Sequence, residues 1–230
     1  MFLSRLLLDP NHPQARRDLG SAYEMHRTLS RAFAPSSDAL PLRFLWRQES
    51  APAPDRGDDV VVLVQSANAA HWAPIEALPG YLRGTDVEQK AVDLGRLLRP
   101  GQRCLFRLRC NPTVTRQGKR QGLQREDDQR RWLERQGQQH GFEVLGARIE
   151  RSELASCQQA HSGRRITVQV VQFDCVLLPT DVPRLEVACT AGIGHAKALG
   201  LGLLSVAPQR EAASPNHRPH PELGHVHPQP

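Results

Sequence analysis

Hydrophobic and polar positions change period along the chain, and each change marks an element. Met1 to Leu8 reads as a strand. Ser21-Ala22-Tyr23-Glu24 is a capping box, in which a serine hydroxyl and a glutamate carboxylate each satisfy a free amide, so a helix is predicted from near Ala22. It runs to about Ala34, where Pro35 and the serines stop it. Two strands follow, near Leu42 to Gln48 and Val60 to Ser66, separated by a Pro- and Asp-rich turn from Ala51 to Asp59. Val60 to Val64 is apolar throughout, as suits a strand in mid-sheet. A short helix around Trp72 to Leu78 and a weak strand near Val87 to Leu94 complete a β-α-β-β-α-β order, the ferredoxin-like pattern.

The order then repeats. After the Pro100-Gly101 turn come a strand from Arg103 to Cys110, a helix from about Glu126 to Gln139 with acids in its first turn, and a strand from Phe142 to Ile149. A long strand (Ile166 to Leu178), a short helix (Val182 to Thr190) and a final strand (Gly202 to Val206) close the pattern. In the long strand the apolar phase of Ile166, Val168 and Val170 shifts to Val171, Phe173, Cys175 and Leu177, which predicts a β-bulge or edge switch near Val170. The expected fold class is α+β, with two tandem ferredoxin-like (βαββαβ) domains, 1–95 and 101–208. The segment 211–230 has five prolines, four histidines and no apolar period, and is expected to be a disordered tail.

Composition narrows the classes of function. The 230 residues suffice for two domains of this size, and 39% of them are hydrophobic. No apolar run approaches the ~20 residues of a membrane helix, and Leu6 to Leu8 is too short for a signal-peptide core, so a soluble cytoplasmic protein is expected. Cys104, Cys110, Cys157, Cys175 and Cys189 are odd in number, scattered and never spaced as C-x-x-C; they read as reduced, mostly buried side chains.

Charge changes the picture more. The formal net charge is +6, and only three of the 30 basic residues are lysines. Arginine suits phosphates and guanine edges, while a GC-rich genome would raise it too. Location separates these readings in part: Arg96 to Arg165 holds 16 Lys and Arg against 7 Asp and Glu. A concentrated excess looks like the footprint of a polyanion. Within it Arg103, Arg107 and Arg109 fall on one face of a period-2 strand. Thr113 to Arg125, with Arg116, Lys119 and Arg120, reads as a mobile basic loop, and Arg148 to Arg165, with Arg164 and Arg165, as a second one.

Two further features carry candidate chemistry. Gly192, Gly194, Gly200 and Gly202, with Lys197 between them, could cradle a phosphate or make a tight helix-to-strand turn. The spacing matches neither a P-loop nor a dinucleotide fingerprint, so no nucleotide cofactor is expected. On the first helix Tyr23, His26, Arg27, Ser30 and Arg31 share an arc beside the apolar one. An imidazole that moves protons near neutral pH, next to a phenol and guanidiniums, suits phosphodiester chemistry, although a lone helical histidine is often structural. No Asp/Glu/His cluster suggests a metal, and His217, His220, His225 and His227 in the tail read as solvated.

Met1-Phe2-Leu3-Ser4, Tyr23 to Ser30, Phe106-Arg107-Leu108-Arg109 with Asn111-Pro112, and Gly192 to Pro208 occur in this order in one family. The chain resembles CasE, the CRISPR repeat-RNA endoribonuclease subunit of the type I-E Cascade complex. The resemblance spans residues 1 to about 208 and is most specific at Gly192 to Pro208, a G-h-G-x-x-x-x-x-G-h-G loop followed by a closing strand. Gln117 to Gln169 diverges. The resemblance implies tandem ferredoxin-like domains and metal-independent cleavage at the 3′ base of a repeat hairpin by 2′-hydroxyl attack. It also implies a 5′-hydroxyl guide RNA, with other Cascade subunits as partners and a monomer when free. His26 and Tyr23 stand where the family has its active-site histidine and tyrosine, and Arg27 or Arg31 is inferred to stabilise the phosphorane. The competing reading is a non-catalytic subunit that only holds the guide-RNA hairpin.

Overall fold

The computed structural model describes residues 1–34, 39–49, 60–84, 86–158 and 165–209. The turn 51–59, Pro35, Arg164 and the tail 211–230 lie outside the described residues. Strand β1 (Phe2–Leu8) buries Ser4, Leu6 and Leu8 on one face, as its alternation requires. Helices α1 (Pro13–Gly20) and α2 (Ala22–Ser30) follow, then strands β2 (Phe44–Gln48) and β3 (Val60–Ser66), the short helix α3 (Ala73–Glu76) and strand β4 (Glu88–Ala91). The sheet order is β2-β3-β1-β4, antiparallel throughout, with the apolar β3 inside it.

A short helix α4 (Leu94–Leu97) leads to β5 (Cys104–Cys110), the pair β6 (Thr113–Arg116) and β7 (Lys119–Gly122), and helix α5 (Glu126–His140). Strands β8 (Phe142–Gln158) and β9 (Arg165–Pro179), helix α6 (Val182–Ala191), a single 3₁₀ turn (Lys197–Leu199) and β10 (Leu204–Pro208) complete the chain. The second sheet runs β10-β5-β9-β8. Both sheets thus place the unit's fourth strand beside its first, then its third and second, which is ferredoxin-like topology twice over. Each unit has its own core, one around Leu6, Leu29, Val62 and Ile75, the other around Leu108, Leu133, Phe173 and Leu185. Leu94 and Leu98 pack into the second.

Three features depart from the expectations. An additional helix, α1, precedes the predicted one. His12 caps it through Ala15 N–H, Pro13 sits in its first turn, Ala15 and Leu19 pack on the first core, and the buried Asp18 carboxylate accepts the Tyr81 hydroxyl at 2.9 Å. Thr113 to Arg125 is not a mobile loop. It holds an ordered hairpin whose Gln117-Gly118 turn has φ of 50° and 72°, both positive as a type I′ turn requires. The described part of Arg148 to Arg165 is also strand, because β8 and β9 pair as far as Gln158 and Arg165.

Of the two alternatives for the phase shift in β9, the pairing shows the edge switch and not a bulge: β5 pairs with β9 only from Val171 to Leu177, and the residues before Val171 pair with β8 alone. Gln169 to Phe173 are all buried because both faces are covered there. Val171 and Phe173 enter the second core, while Val168 and Val170 line a cleft facing the first unit. The register shifts lie on β8 instead, between Val144 and Gly146 and between Ile149 and Arg151.

Candidate active site and nucleic-acid interface

Helix α2 carries the candidate chemistry. Ser21 caps it by accepting from Glu24 N–H at 3.4 Å, the first half of the predicted box. The Glu24 carboxylate serves another purpose: it pairs with Arg27, and Arg17 Nε lies 3.5 Å away. Met25 and Leu29 bury the opposite face in the core and fix the helix. Tyr23 and His26 are therefore held half-buried, one turn apart, on a rigid element.

The His26 ring stacks on Phe44 at the start of β2, with centroids 4.9 Å apart and planes at 20°. Its Nδ1 is buried and has no hydrogen-bond partner. Burial lowers its pKa, since the charged imidazolium is poorly solvated there. Arg31 is exposed, follows the last turn of α2 and makes no ion pair among the described residues. The 3₁₀ turn Lys197–Leu199 packs against α2, which brings the glycine-rich segment to the site. A cleft of about 390 Å³ opens beside the start of α2, lined by Ser21, Trp46, Arg109, Ala155, Val170 and Leu199.

The glycines serve packing. At Gly200, φ is 74° and a Cβ would stand 2.8 Å from the Trp46 ring; at Gly192, φ is 73° and a Cβ would strike Leu45 and the Gly202 carbonyl. Gly194 faces Trp132, and Gly202 N–H donates to the Arg109 carbonyl at 2.7 Å. The Lys197 ammonium donates to the Ala191 carbonyl at 2.7 Å. Of the two readings open at the outset, the tight turn is the one these contacts support.

Between the units lies a chain of charges. Arg47, 1% exposed, donates to Glu49, to the Arg107 and Leu203 carbonyls and to the Ser205 hydroxyl. Arg107 in turn binds Asp174 through two bonds of 2.6 Å and Glu49 at 2.7 Å. Both carboxylates hold its proton more firmly than usual. The two carboxylates engage three of its five N–H donors, so Arg107 acts as a structural link between the units. Arg109 is half-buried in the cleft with Glu153 at 3.8 Å, and Arg103 is exposed just before β5. The three do not form one basic ladder.

Arg116, Lys119 and Arg120 are different. All three are exposed on the β6–β7 hairpin with no ion pair among the described residues. Arg120 also lies close enough to His195 of the glycine segment to help lower its pKa, although burial is the larger cause. Arg165 is exposed at the start of β9. No three His, Cys, Asp or Glu side chains form a metal-holding group among the described residues. Cys104, Cys110, Cys175 and Cys189 are free and buried. No described helix is long and apolar enough to cross a membrane.

Sequence reasoning missed Phe44 and the Arg47–Glu49–Arg107–Asp174 chain. The only available signal for the latter was an arginine inside the apolar run Phe44-Leu45-Trp46 of a strand.

Two ferredoxin-like units linked by a buried arginine and its ion pairs, with a tyrosine–histidine pair on the first and a basic ribbon on the second, define a protein of the nucleic-acid-handling class. Residues 1–208 match the family model for CRISPR associated proteins, and the chain belongs to that family. It is 37% identical over 223 residues to CRISPR-associated endoribonuclease Cse3 of Thermus thermophilus, covering 90% of this chain and all of that protein. It is 29% identical to the Cascade subunit CasE of Escherichia coli, over 90% of this chain and all of CasE. A solved structure of Cse3 bound to 19-nucleotide RNA superposes with a TM-score of 0.78, at 37% identity over 90% of this chain and all of that one.

Proposed function

We propose that the protein is a metal-independent endoribonuclease that cleaves CRISPR repeat hairpins in precursor RNA and stays bound to the guide as a Cascade subunit, in the cytoplasm. The observation that carries this is the half-buried Tyr23–His26 pair, one turn apart on the rigid α2, where burial shifts the imidazole toward its neutral, proton-accepting form. The Thermus relative's name, an endoribonuclease, supports an RNA substrate, and the Escherichia relative's name, a Cascade subunit, supports the complex.

In this reading His26 takes the proton of a 2′-hydroxyl, whose oxygen attacks the adjacent phosphorus in line. The P–O5′ bond breaks, the departing oxygen takes a proton from water, the hydroxide left behind takes the proton held by His26, and the products are a cyclic phosphate and a 5′-hydroxyl. Tyr23 orients the phosphate. Arg31, which is unpaired among the described residues, stabilises the phosphorane directly. Arg27 first exchanges Glu24 for phosphate, and Arg17 stays beside Glu24 to balance its charge. Arg116, Lys119, Arg120 and Arg165 hold the duplex backbone, with Arg103 and Arg164 in the same role; Arg109 serves the strand that enters the cleft. Lys197 and the glycines act by shaping the turn packed on α2. The two domains are 1–95 and 101–208, and the free protein is a monomer.

The test is a labelled repeat hairpin with and without a 2′-deoxy sugar at the scissile nucleotide, in EDTA. The all-ribose strand should be cut and the deoxy strand should not. Cutting of the deoxy strand rules out 2′-hydroxyl attack, and tight binding with no product favours a subunit that only holds the guide.

A further inference from the structure

The aromatic neighbours of His26 form a column. Phe44 meets the imidazole face on one side and Phe33 on the other, the latter at 4.4 Å and 10°. Trp72 closes the column edge-on to Phe33, at 5.8 Å and 82°. Phe33, Phe44 and Trp72 are all at most 6% exposed. The backbone ties their segments together, with Leu42 N–H donating to the Phe33 carbonyl and His71 N–H to the Ala32 carbonyl, both at 2.9 Å. The column is thus anchored by three separate stretches of chain, and of its rings Phe44 is the one stacked on the imidazole.

A catalytic imidazole is usually oriented by a hydrogen bond at the nitrogen that does not react. Among the described residues no group supplies one to the buried Nδ1 of His26. Something else must fix the ring about its side-chain torsions, and a flat aromatic face at stacking distance does so by contact. With Nδ1 turned into the protein, Nε2 is the edge left to meet RNA.

We propose that Phe44 is a positioning residue for RNA cleavage, replacing the usual hydrogen-bonded partner of a catalytic histidine with an aromatic face that holds Nε2 toward the scissile phosphate. This rests on the endoribonuclease reading above. It predicts a division within the column: removing the Phe44 face disturbs the reacting edge, whereas removing Phe33 only loosens the core.

The experiment compares Phe44→Leu with Phe33→Leu in the full chain, reading single-turnover cleavage of the repeat hairpin, binding of the 2′-deoxy hairpin, and melting temperature. Phe44→Leu should slow cleavage roughly ten- to a hundredfold, the scale of a small misplacement of a reacting group, with binding within twofold. Phe33→Leu should lower the melting temperature comparably and leave the rate within about twofold. Equal rates for Phe44→Leu and the parent, or equal losses in both variants, overturn the proposal. If Phe44→Leu does not fold, the parent protein decides by NMR. His26 ring protons shifted upfield by a stacked face support the stack, and shifts like those of a free histidine overturn it. A parent protein that binds without cutting while its His26 ring protons are shifted would instead refute the endoribonuclease reading and leave the stack standing.

Discussion

The two ferredoxin-like units share a strand order and almost nothing else. In the first, helix α2 presents a half-buried tyrosine and histidine, and its Arg27 pairs with a nearby carboxylate. In the second, the equivalent helix α5 carries Glu126, Asp127 and Asp128 in its first turn, where acids favour the helix dipole, and no aromatic–imidazole pair. The second unit instead extends its strands. It adds the β6–β7 ribbon and lengthens β8 and β9 past the sheet, exposing arginine and lysine on elements that reach outward. The topology is therefore a frame. One copy supplies a buried, rigid surface suited to moving protons, and the other an exposed, charged one suited to holding phosphates.

The sharpest way to break this contrast is His26→Ala. Loss of the proton-transfer group should cut single-turnover cleavage by about 10²- to 10⁴-fold while hairpin affinity stays within a few fold. Equal loss of both would mean that the units do not divide the work. Next is the ribbon: replacing Arg116, Lys119 and Arg120 together with alanine removes three exposed positive charges. Affinity for the hairpin should fall and the log–log salt dependence should flatten by roughly two to three units, with the bound substrate cut at the parent rate. A titration against salt measures this, and an unchanged slope would exclude the ribbon as a phosphate contact.

The smallest effect concerns pH. Because burial lowers the pKa of His26, the unfolded chain binds that proton more readily than the folded one. Charging it therefore costs folding energy as pH falls below the ordinary 6.5 of histidine, and the neutral base persists to lower pH than in an exposed residue. The acid limb of the single-turnover profile should have its midpoint below 6.5 and respond little to salt, since no charged neighbour contributes. A midpoint above 6.5 would mean that His26 gains a carboxylate or phosphate partner in the complex.

Much of this architecture was legible in the sequence because it rests on local pattern. The apolar run at Val60 to Ser66, the serine cap at Ser21 and the acids opening α5 each act within a few residues, and each gave its element. Helix α1 was hidden because its anchor, Asp18 to Tyr81, spans 63 residues and its apolar content is slight. The β6–β7 ribbon was hidden for a related reason: its strands are almost entirely polar, and a Gln-Gly turn is a weaker hairpin signal than Asn-Gly. At the site, the Tyr23–His26 pair follows from helical spacing, whereas Phe44 reaches His26 only through the fold. Arg107 shows the other side of this. Strand alternation places it outward, and only the fold reveals that a carboxylate of the neighbouring unit, Glu49, meets it there.

That last contact bears on whether either unit could stand alone. Arg47 is a charge from the first unit whose acceptors, apart from Glu49, belong to the second. Taken alone, the first unit would expose that guanidinium with only Glu49 left to it, and the second would lose the donor that satisfies the Arg107 and Leu203 carbonyls. Although the two halves repeat one topology, each therefore completes the hydrogen bonding of the other, and a cut between them would cost both.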